Sequence, residues 1–166
     1  MSADSLVPVC KPRLPAAHAL HEYLVELDQA RVYTNHGALC RRLRQRLATL
    51  LGVAERRVAL TSSGTSALVV AIMAAAGRAA PARPLCLLPA YSFVATASAA
   101  LQCGFQPYFL DVGERAGALE PDTAFAHPQL ARTGLVVAAA PYGRRVNLSA
   151  WAEFSQLTRV PVVIDA

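Results

Sequence analysis

The segment Thr61-Ser62-Ser63-Gly64-Thr65-Ser66 packs five hydroxyl side chains around one glycine, just ahead of an alanine-rich apolar run. At a strand-to-helix turn such residues suit a phosphate. First-turn amides and the positive end of the helix dipole face the anion, Gly64 lets it approach, and the hydroxyls of Ser63 and Thr65 add donors. The same residue types are the commonest helix caps, and standing alone the segment reads as a cap. It is neither a Walker loop, which needs Gly-Lys-Ser/Thr, nor a Gly-x-Gly-x-x-Gly turn. The second candidate is Asp165, which closes the apolar run Val162-Val163-Ile164. A carboxylate at the carboxyl end of a strand can keep a heteroaromatic ring nitrogen protonated, which lets the ring withdraw electrons; standing alone, it reads as a cap of the next turn. The third is Pro89 to Thr96, where Tyr91 or Phe93 could stack on a planar ligand or simply join the core.

Other chemistries have thinner support. His18 and His21 lie three apart with no carboxylate placed to complete a metal set, so no metal is expected. Cys10, Cys40, Cys86 and Cys103 are scattered, without a Cys-x-x-Cys pair, which fits reduced thiols in a cytoplasm. The net charge of +5 comes mostly from arginine, since Lys11 is the sole lysine. Arg41, Arg42, Arg44 and Arg46 cluster without aromatic interleaving, so a solvated helix face is favoured over nucleic-acid binding. An electrostatic funnel for an anionic small molecule would use the same charges.

The elements that must position these residues follow from the pattern of apolar positions. Residues 1–37 contain Pro8, Pro12 and Pro15, a short helix over 16–30 and the turn-like Tyr33-Thr34-Asn35-His36-Gly37, and so form an arm. Leu39, Leu43, Leu47, Leu50 and Leu51 recur at helical spacing over 38–51, and Gly52 supplies a stop. Strands are then expected at 58–61, 85–88, 107–112, 135–140 and 160–165. Helices are expected between them at 66–76, 93–102, 121–126 and 148–158. Near-continuous apolar strands alternating with helices predict an α/β fold, a mostly parallel sheet with helices on both faces. Such sheets bind ligands at the carboxyl ends of their strands. The chain is 54% hydrophobic and only 16% charged, against roughly a quarter charged in ordinary soluble domains, so exposed apolar surface is expected. No run is long enough to span a bilayer, and Met1 to Ser5 lacks the features of a secretory signal.

Taken in order, Pro8 to Pro15, Tyr33 to Gly37, Thr61 to Leu68, Leu88 to Leu101, Pro107 to Val112, Pro141-Tyr142-Gly143 and Pro161 to Ala166 resemble the DegT/DnrJ/EryC1/StrS family of sugar aminotransferases. The resemblance implies the fold-type I architecture that binds pyridoxal 5'-phosphate (PLP). It also implies transfer of an amino group, with glutamate as donor, to a keto group of a nucleotide-linked sugar. Polysaccharide or glycosylated natural-product biosynthesis in the cytoplasm is the setting it suggests, with no nucleic-acid or membrane partner. By the same resemblance Ser63, Gly64 and Thr65 hold the cofactor phosphate, Phe93 stacks on the ring and Asp165 pairs with its nitrogen. Thr34, Asn35 and Gly37 line the sugar-nucleotide site, and the full-length enzyme is a homodimer.

One departure from the family pattern bears on activity. Relatives carry, shortly after this aspartate, a lysine that anchors the cofactor covalently, and Lys11 does not match it. The expectation is therefore an N-terminal portion, with residues 1–37 as arm and 38–166 as a truncated large domain, inactive by itself and with weak cofactor binding at most. The alternatives are a fragment of a dehydratase of the same fold, in which histidine replaces the lysine, and a non-catalytic binding module. The strand at 58–61 would lack the neighbour it has in the family fold. The 166-residue chain should consequently be marginally stable and self-associating. Sedimentation and urea unfolding check this; a clean monomer with one cooperative, reversible transition counts against it.

Overall fold

A computed structural model describes residues 11–113 and 117–166 of the chain, so Pro8 and Cys10 of the expected arm lie outside the described residues. The chain divides into two compact units, one ending at Leu60 and the other running from Thr61 to Ala166.

The first unit holds α1 (Ala17–Ala30) and α2 (Ala38–Leu51), which pack on one another. The expected stop after α2 is present, because Gly52 adopts the left-handed conformation (φ 64°) and its amide returns to the carbonyls of Ala48 and Thr49. Gly37 opens the same helix for a steric reason. A β-carbon there would sit 2.8 Å from the Val32 carbonyl oxygen, closer than real contacts allow. The arginines behave as a solvated helix face held by local partners. Arg42 pairs with Glu26 at 3.0 Å and lies over the Tyr23 ring, and Arg44 donates from Nε and a terminal nitrogen to Glu55 at 2.9 and 2.7 Å.

The second unit contains α3 (Gly64–Ala75), β1 (Leu85–Pro89), α4 (Val94–Gln102) and β2 (Gln106–Leu110). These are followed by α5 (Pro121–Phe125), β3 (Thr133–Ala139), α6 (Leu148–Thr158) and β4 (Val162–Asp165). The strands pair in parallel in the order β2-β1-β3-β4. Side chains alternate across a pleated strand, and the core divides accordingly. Cys86, Leu88, Leu135, Val137 and Val163 face α3 and α4 with Leu68, Ile72 and Ala99. Leu87, Val136 and Ala138 turn the other way, toward Trp151 and Phe154 of α6 and Ala124 of α5. Both faces of the central strands are buried, which is why they read as unbroken apolar runs rather than alternating ones. Gly134 lets β3 enter the sheet, since a β-carbon there would collide with the Arg83 carbonyl beside the register shift at Leu85.

The expected α/β architecture is thus the observed one, with one correction. No strand forms at 58–61; Val58 is extended (φ −107°, ψ 118°), but the segment pairs with no strand among the described residues. An extended conformation becomes a strand only where a neighbour completes its hydrogen-bond ladder, and apolar character alone cannot supply that. The high apolar content surfaces on the edge strand β2, where Phe109 is 56% exposed, and on Leu101 and Leu157.

Burial pushes the Cys86 thiol up to about 12 and also raises Cys103, while Cys40 is exposed. An unfolded chain releases the Cys86 proton at lower pH than the folded one. The stability linked to this proton is therefore complete below about 9 and lost as the pH climbs toward 12. With a colorimetric thiol reagent at pH 8, Cys86 and Cys103 should react only after denaturation, and C40S should remove one fast-reacting equivalent.

Candidate functional site

The strand order places β1 and β3 side by side although the chain runs from β1 outward to β2 before crossing back. Loops leaving the carboxyl ends of β1 and β3 must diverge there, and the gap between them is where sheets of this kind accept ligands. A cavity of about 440 Å³ occupies this place. Tyr91, Ser92 and Phe93 line it from the loop after β1, Ala140 and Tyr142 from the loop after β3, and Asp165 from the end of β4.

Asp165 is anchored on two sides. Its backbone carbonyl accepts from the Ala140 amide at 2.7 Å, and its Oδ2 accepts from the Thr96 hydroxyl at 2.9 Å. Thr96 is buried in the first turn of α4, and its Oγ1 lies 2.8 Å from Ser92 Oγ. Phe93 stands at the N-cap position of the same helix and is 78% exposed, so the reading of it as a core aromatic does not hold. Tyr91 is likewise half exposed, and its hydroxyl lies 3.0 Å from that of Tyr142. Tyr142 holds this position in the left-handed region, at φ 58° and ψ 30°. The shared hydrogen bond raises the Tyr91 hydroxyl above the ordinary tyrosine value, the nearby Tyr142 adds to it, and Arg144 pulls weakly the other way.

Ser63, Gly64 and Thr65 form the start of α3, which packs against α4 and β4. The capping reading is realised: Ser63 Oγ accepts from the Ser66 amide at 3.2 Å and lies 3.0 Å from Ser66 Oγ. A β-carbon on Gly64 would meet nothing within 4 Å, so no contact among the described residues requires glycine there. These three residues do not line the cavity at Asp165. Thr34, Asn35 and Gly37 share one turn of the first unit, leading into α2, with Thr34 and Asn35 exposed. Among the described residues no group of three or more histidine, cysteine or acidic side chains is gathered to hold a metal, and no helix is long and apolar enough to cross a membrane.

The model of the DegT/DnrJ/EryC1/StrS aminotransferase family matches residues 16–166. The chain belongs to this family. Protein Rv3402c of Mycobacterium tuberculosis (strain ATCC 25618 / H37Rv) is 31% identical over 165 residues, covering 96% of this chain and 39% of that protein. A dTDP-4-amino-4,6-dideoxy-D-glucose transaminase of Shigella dysenteriae is 27% identical over 158 residues, covering 95% and 41%. Among solved structures, a Bacillus cereus ATCC 10987 protein assigned as a PLP-dependent aminotransferase superposes with a TM-score of 0.79 at 27% identity, covering 94% of this chain and 42% of that one. The chain thus spans about two fifths of the length of the relatives it matches.

Within this DegT/DnrJ/EryC1/StrS chain, the structure brings Phe93 and Asp165 to one cavity and sets Ser63 to Thr65 on a helix packed against the elements that carry it. Sequence reasoning passed over Thr96 and the Tyr91 to Tyr142 pair. The four-residue spacing of Ser92 and Thr96 was a signal for the former, since it stacks two hydroxyls at a helix start. Nothing local linked Tyr91 to a residue 51 positions later. Because the bond to Tyr142 is what raises the Tyr91 hydroxyl, Y142F should bring its ionisation down toward the ordinary range. Ultraviolet difference titration of the tyrosinates reads this shift.

Proposed function

We propose that this chain is the cofactor-binding part of a PLP-dependent sugar aminotransferase and that the cavity beside Asp165 receives the cofactor ring. The observation that carries the reading is a carboxylate fixed at the carboxyl edge of a parallel sheet, with the exposed Phe93 ring on the lining of the same cavity. The fit is chemical as well as spatial, because a cavity with a tethered acceptor and a free aromatic face suits a flat, cationic heterocycle.

In this reading Asp165 accepts a hydrogen bond from the ring nitrogen and keeps its proton in place. Phe93 lies on the ring face and keeps water from it, while Ser63, Gly64 and Thr65 hold the phosphate through first-turn amides and hydroxyls. PLP, when bound, supplies an electron sink for the carbanion chemistry of amino-group transfer. Thr34, Asn35 and Gly37 contact the nucleotide-linked keto sugar, glutamate is the amino donor, and the whole enzyme is a cytoplasmic homodimer. Lys11 does not match the position of the family's anchoring lysine, so in this reading these 166 residues hold the cofactor without a covalent bond and do not transaminate.

Equilibrium dialysis with pyridoxamine 5'-phosphate tests the assignment. D165N should weaken binding about tenfold, by loss of a charge-assisted hydrogen bond. G64A separates ligand from fold: the melting temperature should hold or rise slightly, since alanine favours a helix and meets no obstacle, while affinity for the phosphate falls. Equal affinity of both variants and the parent chain refutes the site.

A further inference from the structure

Resting on the cofactor reading above, we infer that Thr96 is a positioning residue for Asp165: it accepts a hydrogen bond from the Ser92 hydroxyl, donates its own to Asp165 Oδ2, and leaves this stretch of the cavity lining able only to accept hydrogen bonds. The direction of both protons follows from counting donors. An ionised carboxylate only accepts, so the contact of 2.9 Å between Thr96 Oγ1 and Asp165 Oδ2 uses the single hydroxyl proton of Thr96. Ser92 Oγ, 2.8 Å from Thr96 Oγ1, must then be the donor of the second bond. Thr96 is buried and the residues Ser92 and Asp165 both line the cavity, so the hydrogen-bond chain runs from the lining, through the protein, and back to the lining.

Two properties result. The carboxylate is held in one rotamer by a partner that is itself held, since Thr96 Oγ1 is buried and bonded to Ser92 on one side and to Asp165 on the other. In addition Ser92, its proton committed, offers the cavity only lone pairs. A ligand bringing an N–H to this place finds an acceptor waiting, whereas one bringing only a lone pair meets two acceptors and is rejected. Thr96 thereby selects the protonated form of a ring nitrogen without touching it.

The test compares the parent chain with T96V, T96S and S92A, with Trp151 fluorescence as the check on folding. The first measurement needs no ligand. Side-chain scalar couplings of Asp165 should report one dominant rotamer in the parent and T96S and averaging among rotamers in T96V, with S92A in between. The second compares pyridoxamine 5'-phosphate with its carbocyclic analogue, in which CH replaces the ring nitrogen. The parent's preference for the pyridine should fall about tenfold in T96V and about threefold in S92A and be kept in T96S. If T96V does not fold, S92A and T96S carry the comparison. Asp165 couplings that are the same in every folded variant overturn the proposal, whatever the ligand does. A parent chain that binds both ligands equally, with couplings that change as described, overturns the cofactor reading and leaves the positioning role standing.

Discussion

The parallel pairing of β1 with β3 is the contact on which the second unit depends. It joins strands separated by a full excursion through α4 and β2, and it divides the core into two clusters on opposite faces. Without it Leu87 and Val136 would lose their shared neighbours on one side, and Cys86 and Leu135 on the other. It also creates the divergence of loops that opens the cavity, so the element that stabilises the sheet and the element that makes a binding place are the same pair of strands.

Much of this was legible from residue types. Strands buried on both faces write themselves as unbroken apolar runs such as Leu85 to Leu88 and Leu135 to Ala140, and amphipathic helices as leucines at intervals of three and four, so most elements fall within one or two residues of their expected bounds. The segment at 58–61 misled because pairing is not a property of the segment. Val58 is extended, and whether such a segment forms a strand depends on a partner elsewhere in space. The site divides along the same line. The placing of Asp165 at the end of a strand and of Phe93 at the start of a helix was readable from local pattern, and the structure brings both to one cavity. The role of Thr96 depends on a bond across 69 residues that no local pattern encodes.

The hydroxyls of the molecule show how one residue type serves different ends. Ser63 satisfies an amide at the start of α3, a local duty that any short helix cap performs, and this occupation is compatible with an anion at the neighbouring amides. Ser92 and Thr96 instead spend their protons in sequence on one carboxylate. Tyr91 and Tyr142 share one hydrogen bond between their hydroxyls, with a left-handed backbone at Tyr142 that a bulky residue adopts only when its surroundings hold it there.

Gly37 and Gly64 differ in what the genetic code can do to them. Every missense change of a glycine codon adds at least one carbon beyond Cα. At position 37 that atom collides with the Val32 carbonyl, so folding opposes every point mutation there whatever else acts on the position. At position 64 the same atom enters open space, and folding filters nothing for want of room. Any selective pressure that preserves glycine at 64 across a lineage therefore acts through what approaches the start of α3 from outside, and the substitution record at these two positions separates selection for shape from selection for a guest.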